Sequence, residues 1–304
     1  MAKYLTVIIP TYNRAKTLEK CLTALAGQTY PGSGFEVIIA DDGSTDRTGE
    51  LAASFMNGKI VDVKYFRQEN KGPAAARNLG IKNAAGDVIL FMGDDMLAGP
   101  DLLERHTAWH LKNAKDSAAL LGYATWDPEL EITPFMFWLE NGGPQFSFNR
   151  LEDGGEADPR LYFYTCNISL KRRFLTGNGL FDEEFPYAAY EDMELGCRLK
   201  AAGLKLFFDR KAVAWHHHYT SLEGACKRMI KVGESKKILN RKIGQSVFEP
   251  RTPFIRRILK IFKISVYYPL AVLFEKRKVA AGIFLYVMDY YCALGVEKSR
   301  GGRK

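Results

Sequence analysis

The sequence predicts an α/β fold with a mostly parallel central sheet. Short apolar runs of strand length alternate with segments of helical spacing, and this alternation is typical of βαβ units. Polar clusters follow several of the strand candidates, at the sheet edge where α/β proteins bind their ligands. With 304 residues and an apolar fraction of 47%, the chain can build a sizeable core.

The apolar spacing places the elements of the first half. Residues 5–9 form a β-branched run that ends at Pro10, and residues 35–40 form a second buried run. The other candidates in this half are strands over 61–66 and 87–92 and helices over 17–25 and 73–84. Pro73 suits the first turn of its helix, where no backbone donor is needed.

The second half is less regular. The strand candidates here are 118–124, 162–170, 206–208 and 212–215. Residues 190–202 are predicted as a helix because acidic side chains fill the first turns, where they favour the helix dipole. Gly203 marks the end of this helix, and the last two short strands lead into His216.

Charge is distributed unevenly along the chain. The net charge is +8, but residues 225–304 carry 19 Lys/Arg against 5 Asp/Glu, which leaves the first 224 residues with 24 against 30. An acidic body is not expected of a general nucleic-acid-binding protein, so we expect no nucleic-acid partner. The basic character belongs to the C-terminal region alone.

The cysteines and the N-terminus point to the cytoplasm. The five cysteines are scattered, without a CxxC pair, so neither a disulfide framework nor a zinc site is expected. Free thiols suit a reducing compartment. The first residues run directly into the first strand candidate and do not resemble a signal peptide.

A pair of aspartates follows each of two predicted strands. Asp41 and Asp42 come after the strand at 35–40, where carboxylates can accept hydrogen bonds from a ribose or a base. Asp94 and Asp95 come after the strand at 87–92, and such hard oxygen ligands suit Mg²⁺ or Mn²⁺, which bridge nucleotide phosphates. The alternative in both cases is a turn, since Asp and Gly are common turn residues.

Two further clusters carry candidate chemistry. Glu191 and Asp192 open the predicted helix, and one of these carboxylates could take a proton from an attacking hydroxyl. The alternative is charge that stabilises the helix N-terminus. His216, His217 and His218 are consecutive, so alternation along a strand puts the first and third on one side. One of them could complete a metal site, and the alternative is a surface histidine cluster.

Taken in order, these motifs resemble the family 2 glycosyltransferases, the large inverting family with a GT-A fold, of bacterial type. The motifs are residues 7–14 (VIIPTYNR), 41–46 (DDGSTD), 72–78 (GPAAARN), 93–95 (GDD), 166–172 (CNISLKR), 181–183 (FDE) and 191–195 (EDMEL) with Arg198. The similarity runs from about residue 4 to about residue 221.

The resemblance implies an enzyme that moves a sugar from a nucleotide-diphosphate donor to an acceptor hydroxyl with inversion of configuration. Cell-surface polysaccharide or glycolipid synthesis is the expected setting, with a sugar or a lipid-linked acceptor. The residues that would hold the nucleoside and a phosphate are Pro10, Thr11, Tyr12, Asn13, Asp41, Asp42 and Arg77. Asp192 would be the general base.

The implied metal site departs from the family pattern. Gly93 stands in place of the first aspartate of the DxD motif. The resemblance then makes Asp95 the main ligand of Mn²⁺ or Mg²⁺, with Asp94 facing the sugar or the diphosphate. His216 best fits the histidine that the family often places after its last short strand.

The resemblance and the shift to basic composition near residue 222 together predict the domain boundaries. A GT-A catalytic domain is expected over residues 1–221, with a nucleotide-binding half at 1–98 and an acceptor half at 99–221. A basic, amphipathic helical region follows at 222–304. The sequence leaves open whether the chain forms a homo-oligomer.

The basic tail predicts contact with a membrane surface. Between residues 254 and 266, helical spacing puts apolar residues mostly on one face and four basic residues on the other. The basic residues are Arg256, Arg257, Lys260 and Lys263. The alternative is packing on the catalytic domain or on a second subunit. Uncharged runs at 264–274 and 279–288 are shorter than the roughly 20 residues of a membrane span, so peripheral attachment at the inner face of the cell membrane is predicted.

Two other functions fit parts of the sequence. A sugar-phosphate nucleotidylyltransferase has a similar nucleotide-binding fold, but it needs a glycine-rich basic loop, and residues 10–14 contain no glycine. A non-catalytic nucleotide-binding protein with the GT-A fold is supported only by Gly93.

Overall fold

The computed structural model describes residues 4–58, 61–145, 148–244, 254–275 and 281–301, with the side chains of 254–262 and 299–301 outside that description. The chain divides into two compact units. Unit 1 consists of Met1–Asp127 and Arg150–His218, and unit 2 consists of Pro128–Asn149 and Tyr219–Lys304. The segment 128–149 therefore groups with the C-terminal helices, although it is followed in the chain by the rest of unit 1.

Strands and helices are numbered here in chain order. The strands are β1 (Leu5–Thr11), β2 (Phe35–Asp41), β3 (Asp62–Arg67), β4 (Val88–Met92), β5 (Met96–Ala98), β6 (Ala118–Trp126), β7 (Glu156–Ala157), β8 (Asn167–Lys171) and β9 (Lys205–His216). The helices are α1 (Ala15–Ala26), α2 (Thr48–Gly58), α3 (Pro73–Asn83), α4 (Leu102–Lys112), α5 (Pro134–Asn141), α6 (Pro159–Tyr162), α7 (Arg172–Gly177), α8 (Glu191–Ala201), α9 (Leu222–Ile243), α10 (Phe254–Phe274) and α11 (Ala281–Gly301).

Unit 1 is built on one sheet with the strand order β3-β2-β1-β4-β8-β6-β9-β5, and β7 pairs with β9. The first four of these strands are parallel neighbours. β8 is antiparallel to both β4 and β6, so β6 and its parallel partner β9 run in the same direction as β4. With β5 and β7 antiparallel on β9, the sheet is mixed and mostly parallel, as the sequence predicts.

The sheet register brings the polar clusters together. Thr11, the last residue of β1, lies opposite Asp41, the last residue of β2. β4 is the other neighbour of β1 and ends just before Gly93. Because these strands are parallel, their carboxyl ends share one edge of the sheet, which is the edge where α/β proteins bind ligands.

Two local predictions differ from the structure, and some elements were not predicted. The strand predicted over 162–170 begins only at Asn167, because Pro159 and the capping side chain of Asp158 turn residues 159–162 into a short helix. The two short strands at 206–208 and 212–215 are one strand, β9, whose register against β6 shifts between Gly122 and Tyr123. Helices α2 and α4 were not among the predicted elements.

Unit 2 is helical. Gly233 of α9 and Gly295 of α11 lie at a close helix contact, since a Cβ atom on either would meet backbone atoms of the other helix. Helix α5 packs here through Phe135, whose ring contacts Phe284 edge to face at 5.1 Å. Within the described ranges, no helix is long and apolar enough to cross a membrane.

Candidate active site

Asn13 joins the turn after β1 to the turn after β2. Its backbone φ of 53° lies in the left-handed region, which asparagine tolerates better than most residues. Its side-chain oxygen accepts hydrogen bonds from the backbone N–H groups of Thr45 (2.7 Å) and Asp46 (3.2 Å). Its own N–H donates to Ser44 Oγ at 2.8 Å. The Asn13 contacts therefore fix both turns in one arrangement.

The predicted nucleoside ligands next to this turn have unequal access. The Tyr12 side chain is 46% exposed, so its ring is available to a ligand, and Pro10 is half-buried. Thr11 is buried, and its hydroxyl donates to Asp94 Oδ2 at 2.8 Å. Thr11 therefore holds the side chain of Asp94, while Tyr12 exposes its ring to solvent, where a ligand can contact it.

Asp41 and Asp42 are buried and are already engaged by donors of the protein. Asp41 accepts from the backbone N–H of Ser44 at 2.8 Å and from the hydroxyl of Tyr65 at 2.5 Å. Asp42 accepts from the Gln68 side chain and from the backbone N–H groups of Lys71 and Gly72. These bonds shape the loops that lead to α2 and α3. A carboxylate oxygen has two lone pairs, so capacity remains for a ligand.

Gly72 makes the loop before α3 possible. Its φ of 93° is a conformation that side chains rarely adopt, and a Cβ atom would lie 3.3 Å from the Pro186 carbonyl oxygen. Pro73 follows at the first helical position, as predicted. The chain thus turns tightly from Asp42 into the helix that carries Arg77.

Asp94 and Asp95 form an acidic pair bridged by Arg14. The Arg14 guanidinium lies 2.9 Å from Asp94 Oδ1 and 2.8 Å from Asp95 Oδ2. His216 Nε2 approaches the same Asp95 oxygen at 3.3 Å. Adjacent carboxylates repel each other, so a cationic partner at this position stabilises the pair. Arg14 belongs to the quoted VIIPTYNR motif but was not among the predicted site residues.

The two carboxyl groups of this pair differ in acidity. Burial, followed by the charge of Asp95, raises the pKa of Asp94 to about 7, although Arg14 and Thr11 act in the opposite sense. Burial also acts to raise the pKa of Asp95, but His216 and Arg14 outweigh it and hold that pKa well below its usual range. Asp95 is therefore the permanent anion of the pair, as expected of a main metal ligand.

The three histidines divide between two sides, as strand alternation predicts. The rings of His216 and His218 stack at 5.7 Å, and His216 also stacks on Trp126 at 5.1 Å. His217 points elsewhere: its Nδ1 lies 2.5 Å from Asp127 Oδ2, and its backbone N–H donates to the Asp95 carbonyl at 2.8 Å. His217 thus fixes the backbone on which Asp95 and His216 sit.

Asp127 is a site-supporting residue that the sequence reasoning missed. It is buried at 3% exposure, and its backbone N–H donates to the His216 carbonyl at 3.2 Å. A single aspartate after β6 carries no motif, so only its position at a strand end could have drawn attention to it.

Arg77 and Glu191 form a buried ion pair across the site. Arg77 Nη1 lies 2.7 Å from Glu191 Oε1, and the guanidinium lies 5.3 Å from the centre of the Phe181 ring. Arg77 Nε and Glu191 Oε2 are buried without a hydrogen-bond partner among the described residues. The predicted phosphate ligand Arg77 is therefore held by the helix that carries Asp192.

Asp192 has the acidity expected of a general base. Burial, and then the Glu191 carboxylate, raise its pKa to about 7, although Arg77 acts to lower it. Oδ1 accepts from the backbone N–H of Met193 at 2.8 Å. Tyr190, directly before the pair, has a φ of 68°, so the backbone is strained where it presents these carboxylates.

The Cys166 thiol is influenced by the charges of two candidate site residues, Asp192 and Asp95. Burial raises the pKa of its thiol, and the charges of both Asp192 and Asp95 raise it further. The thiol is therefore protonated at neutral pH, which excludes a thiolate nucleophile here. The predicted base and the predicted metal ligand therefore both influence the pKa of this thiol.

The chain is similar to known glycosyltransferases. A family model described as glycosyl transferase family 2 matches residues 6–175. Validoxylamine A glucosyltransferase of Streptomyces hygroscopicus subsp. jinggangensis is 34% identical over 229 residues, which cover 68% of this chain and 54% of that protein. Chondroitin synthase of Escherichia coli is 26% identical over 293 residues, covering 87% of this chain and 42% of that protein. The chain spans about half the length of these curated relatives.

Solved structures share the fold. A mannosyltransferase from Pyrobaculum calidifontis in complex with GDP-Man and Mn²⁺ superposes with a TM-score of 0.64 at 16% identity, over 100% of this chain and 89% of that one. TarS of S. aureus in complex with UDP-GlcNAc gives 0.58 at 20% identity, over 98% and 92%. These likenesses confirm the GT-A fold. Because the family model covers more than half of the sequence, the chain belongs to glycosyl transferase family 2.

Proposed function

We propose that the chain transfers a sugar from a nucleotide-diphosphate donor to an acceptor hydroxyl, with inversion of configuration. One observation carries this proposal: the pKa of Asp192 is raised to about 7, and Glu191 beside it in the chain forms a buried ion pair with Arg77 of α3, 2.7 Å from Nη1 to Oε1. A base that titrates near neutral pH, next to a site for a charged leaving group, is the arrangement that direct displacement needs.

The donor would lie along the carboxyl ends of β1, β2 and β4. We propose that Pro10, Thr11, Tyr12 and Asn13 contact the nucleoside together with Asp41 and Asp42. The exposed ring of Tyr12 supports this assignment, since it offers a base a stacking surface. Asp41 and Asp42 would act through their remaining lone pairs and through the loops that they fix.

Arg77 is proposed as a phosphate contact. Its Nε has no partner among the described residues, so it retains a donor for an anion even while Nη1 binds Glu191. Arg14 lies beside Asp94 and Asp95 and can balance charge where a diphosphate would approach.

The donor set fits a divalent ion. Asp95 and His216 present an oxygen and a nitrogen 3.3 Å apart, both of which Mn²⁺ accepts, and Asp94 adjoins them. In the described ranges, no group of three or more His, Cys, Asp or Glu residues gathers as a metal cage. When bound at Asp95 and His216, Mn²⁺ or Mg²⁺ would neutralise charge on the diphosphate leaving group. Asp94 would face the sugar or the diphosphate.

Asp192 would act on the acceptor. Its carboxylate takes the proton of the acceptor hydroxyl, and the oxygen attacks the anomeric carbon opposite the leaving group. The bond from that carbon to the diphosphate oxygen breaks with its electron pair, so one glycosidic bond replaces it and configuration inverts. No covalent glycosyl-enzyme intermediate forms, and Asp192 is left protonated.

The acceptor is proposed to be a sugar or a lipid-linked saccharide, in cell-surface polysaccharide or glycolipid synthesis. The relatives support a glycosyl acceptor, since they include the chondroitin synthase of Escherichia coli. A lipid-linked acceptor would place the reaction at the cytoplasmic face of the cell membrane, in keeping with the basic C-terminal region.

The test combines donor binding with loss of the base. Thermal shift with UDP and GDP, with and without Mn²⁺, should show stabilisation by one nucleotide, since a ligand of the native state raises its stability. Asp192→Asn should keep that shift but lower sugar transfer or donor hydrolysis by at least ~10²-fold. An unchanged rate would refute the assignment of the base, and no shift with any nucleoside diphosphate would refute the donor class.

A further inference from the structure

Helix α10 exposes an apolar face to solvent. Val266, Val272 and Leu273 are 46%, 49% and 57% exposed, and Pro269 is exposed between them. We call these four residues the outer face of α10. A helix of a globular protein normally turns its polar side to water, so an exposed face of this composition indicates a binding surface.

The opposite side of α10 is already packed, so the exposed apolar residues are not the core-facing side of a helix that lacks its packing partner. Ile264 and Ala271 are 9% and 0% exposed and lie one heptad apart, so they form the packed side of the helix. Tyr267 makes a ring contact with Tyr286 of α11 at 5.0 Å. The helix is therefore already anchored to its own unit, and the outer face is a second apolar surface.

Sequence spacing extends this face toward the start of the helix. At 100° per residue, four apolar residues fall on the arc of Val266, Pro269 and Leu273: Ile255, Ile258, Leu259 and Phe262. Their side chains lie outside the described residues, so this extension rests on periodicity alone. Leu285 of α11 is also exposed, at 48%.

Positive charge accompanies the apolar face. Residues 254–278 contain seven Lys/Arg and a single acidic residue, Glu275. On the same helical register, the exposed Lys263 falls on the arc beside the apolar one, and so does Arg256, whose side chain lies outside the described residues. An apolar face with a basic flank matches an anionic bilayer, whose headgroups attract cations while the acyl boundary accepts apolar side chains.

We propose that α10 lies in the interface of a membrane rich in anionic phospholipid, with Val266, Pro269, Val272 and Leu273 inserted. No helix in the described part of the chain can span a bilayer, so this attachment is peripheral. The observations favour a lipid surface over a second copy of the chain. Two such faces would bring their basic flanks close together, and the repulsion of like charges opposes self-association.

The test uses the full chain and vesicles of defined composition. Flotation is measured with phosphatidylcholine vesicles and with vesicles that contain phosphatidylglycerol, at low and at high salt. The variant Val266→Asp/Leu273→Glu changes two exposed side chains, so it should fold, and its melting temperature checks this. Leu111→Glu is the matched control, because Leu111 of α4 is 65% exposed but belongs to unit 1.

The wild-type chain and Leu111→Glu should float with the anionic vesicles and much less with the neutral ones, and added salt should weaken the binding. The double variant should lower the partition coefficient by about tenfold or more, since the insertion of two apolar side chains is lost. The proposal would be overturned if the double variant floated as well as the wild type. It would also be overturned if the wild type bound neutral and anionic vesicles equally. A wild-type dimer that the double variant converts to monomer, without any vesicle binding, would identify a second copy as the occupant and also overturn it.

The proposal does not depend on the chemistry of unit 1. Thermal shift by the best nucleoside diphosphate, measured on the same double variant, should equal that of the wild type. If no nucleotide shifts either protein but flotation behaves as described, the donor assignment fails and the membrane assignment stands. The reverse pattern refutes the membrane assignment alone.

Discussion

Arg77 and Glu191 form an ion pair in which Nη1 lies 2.7 Å from Oε1 and both side chains are almost fully buried. The pair joins α3, which follows the loops proposed to bind the nucleotide, to α8, which carries Asp192. The charge of Glu191 raises the pKa of Asp192, and that of Arg77 lowers it. The acidity of the proposed base therefore depends on this pair.

Replacing Glu191 by Gln should move the pH dependence of the reaction. Since Asp192 must be ionised to accept a proton, kcat/KM of the wild type should rise with pH through about 7. Glu191→Gln removes a neighbouring negative charge and so lowers the pKa of Asp192. The rise of kcat/KM with pH, which we call the acid limb, should therefore move to lower pH by about one unit. The pH profile of kcat/KM measures this shift.

Arg77→Met provides the opposite control. Loss of the positive charge should move the same acid limb to higher pH, and it should also weaken nucleotide binding if Arg77 contacts a phosphate. Both variants break a buried ion pair, so each should lose stability, by up to about 3–5 kcal/mol. Acid limbs that move in the same direction in the two variants would contradict the electrostatic account.

Asp192→Asn should change stability in a pH-dependent way. The native pKa of Asp192 is raised to about 7, so the folded protein holds this proton more tightly than the unfolded chain does. Stability from this group is therefore greatest at acid pH and falls as pH rises toward 7. Asparagine has no such dependence, so the melting temperature of the variant relative to wild type should be higher at pH 8 than at pH 5.

Two measurements separate this effect from a general change in packing. Asp94→Asn provides a comparison, because the pKa of Asp94 is also raised to about 7. Leu111→Glu, at an exposed position of unit 1, should show no such pH-dependent difference. If the Asp192→Asn difference were the same at both pH values, the carboxyl group would not be shifted in the folded protein.

The support behind the proposed metal ligands, Asp95 and His216, can be tested at Asp127. His217 Nδ1 lies 2.5 Å from Asp127 Oδ2, while the backbone of His217 binds that of Asp95. Asp127→Asn keeps the size of the side chain but weakens this contact, so His216 and Asp95 should be held less firmly. The Mn²⁺ concentration that gives half of the maximal thermal shift with nucleotide should rise roughly 10–100-fold, as for other residues that orient metal ligands.

Lys20→Met is the matched control for Asp127→Asn. Lys20 Nζ lies 2.8 Å from the other ring nitrogen of His217, His217 Nε2, but at an exposed position. Its loss should change Mn²⁺ affinity far less, because the Asp127 contact remains. An unchanged Mn²⁺ titration in Asp127→Asn would show that His217 does not set the geometry of the site.

Much of unit 1 could be predicted from its sequence because its signals are local. Buried runs such as 35–40 need no distant information, and the acidic pairs at their ends mark the ligand-binding edge. The position of β8 between β4 and β6 could not be predicted, because the sequence of residues 167–171 does not indicate which strands β8 pairs with or in which direction it runs.

Long-range contacts explain the residues of the site that were missed. Arg14 became part of the site only when the sheet placed it 2.8 Å from Asp95, 81 positions along the chain. Asp127 meets His217 across 90 positions. Arg14 lies in the VIIPTYNR motif, but the motif does not show that its side chain reaches Asp95, and Asp127 stands in no motif. Asp192, in contrast, stands in an acidic doublet at a helix start.

The close contact of α9 and α11 predicts which glycines of unit 2 cannot be replaced. A Cβ atom on Gly233 would collide with the carbonyl oxygen of Cys292, and backbone cannot move aside as a flexible side chain can. Gly233→Ala should therefore lower the free energy of unfolding by about 1–3 kcal/mol or more, despite the better helix propensity of alanine. Gly282→Ala is the control, since a Cβ atom there meets nothing within 4 Å and alanine should be neutral or stabilising. Chemical denaturation of the three proteins measures the difference, and equal stability of the two variants would show that α9 and α11 are not packed as closely as described.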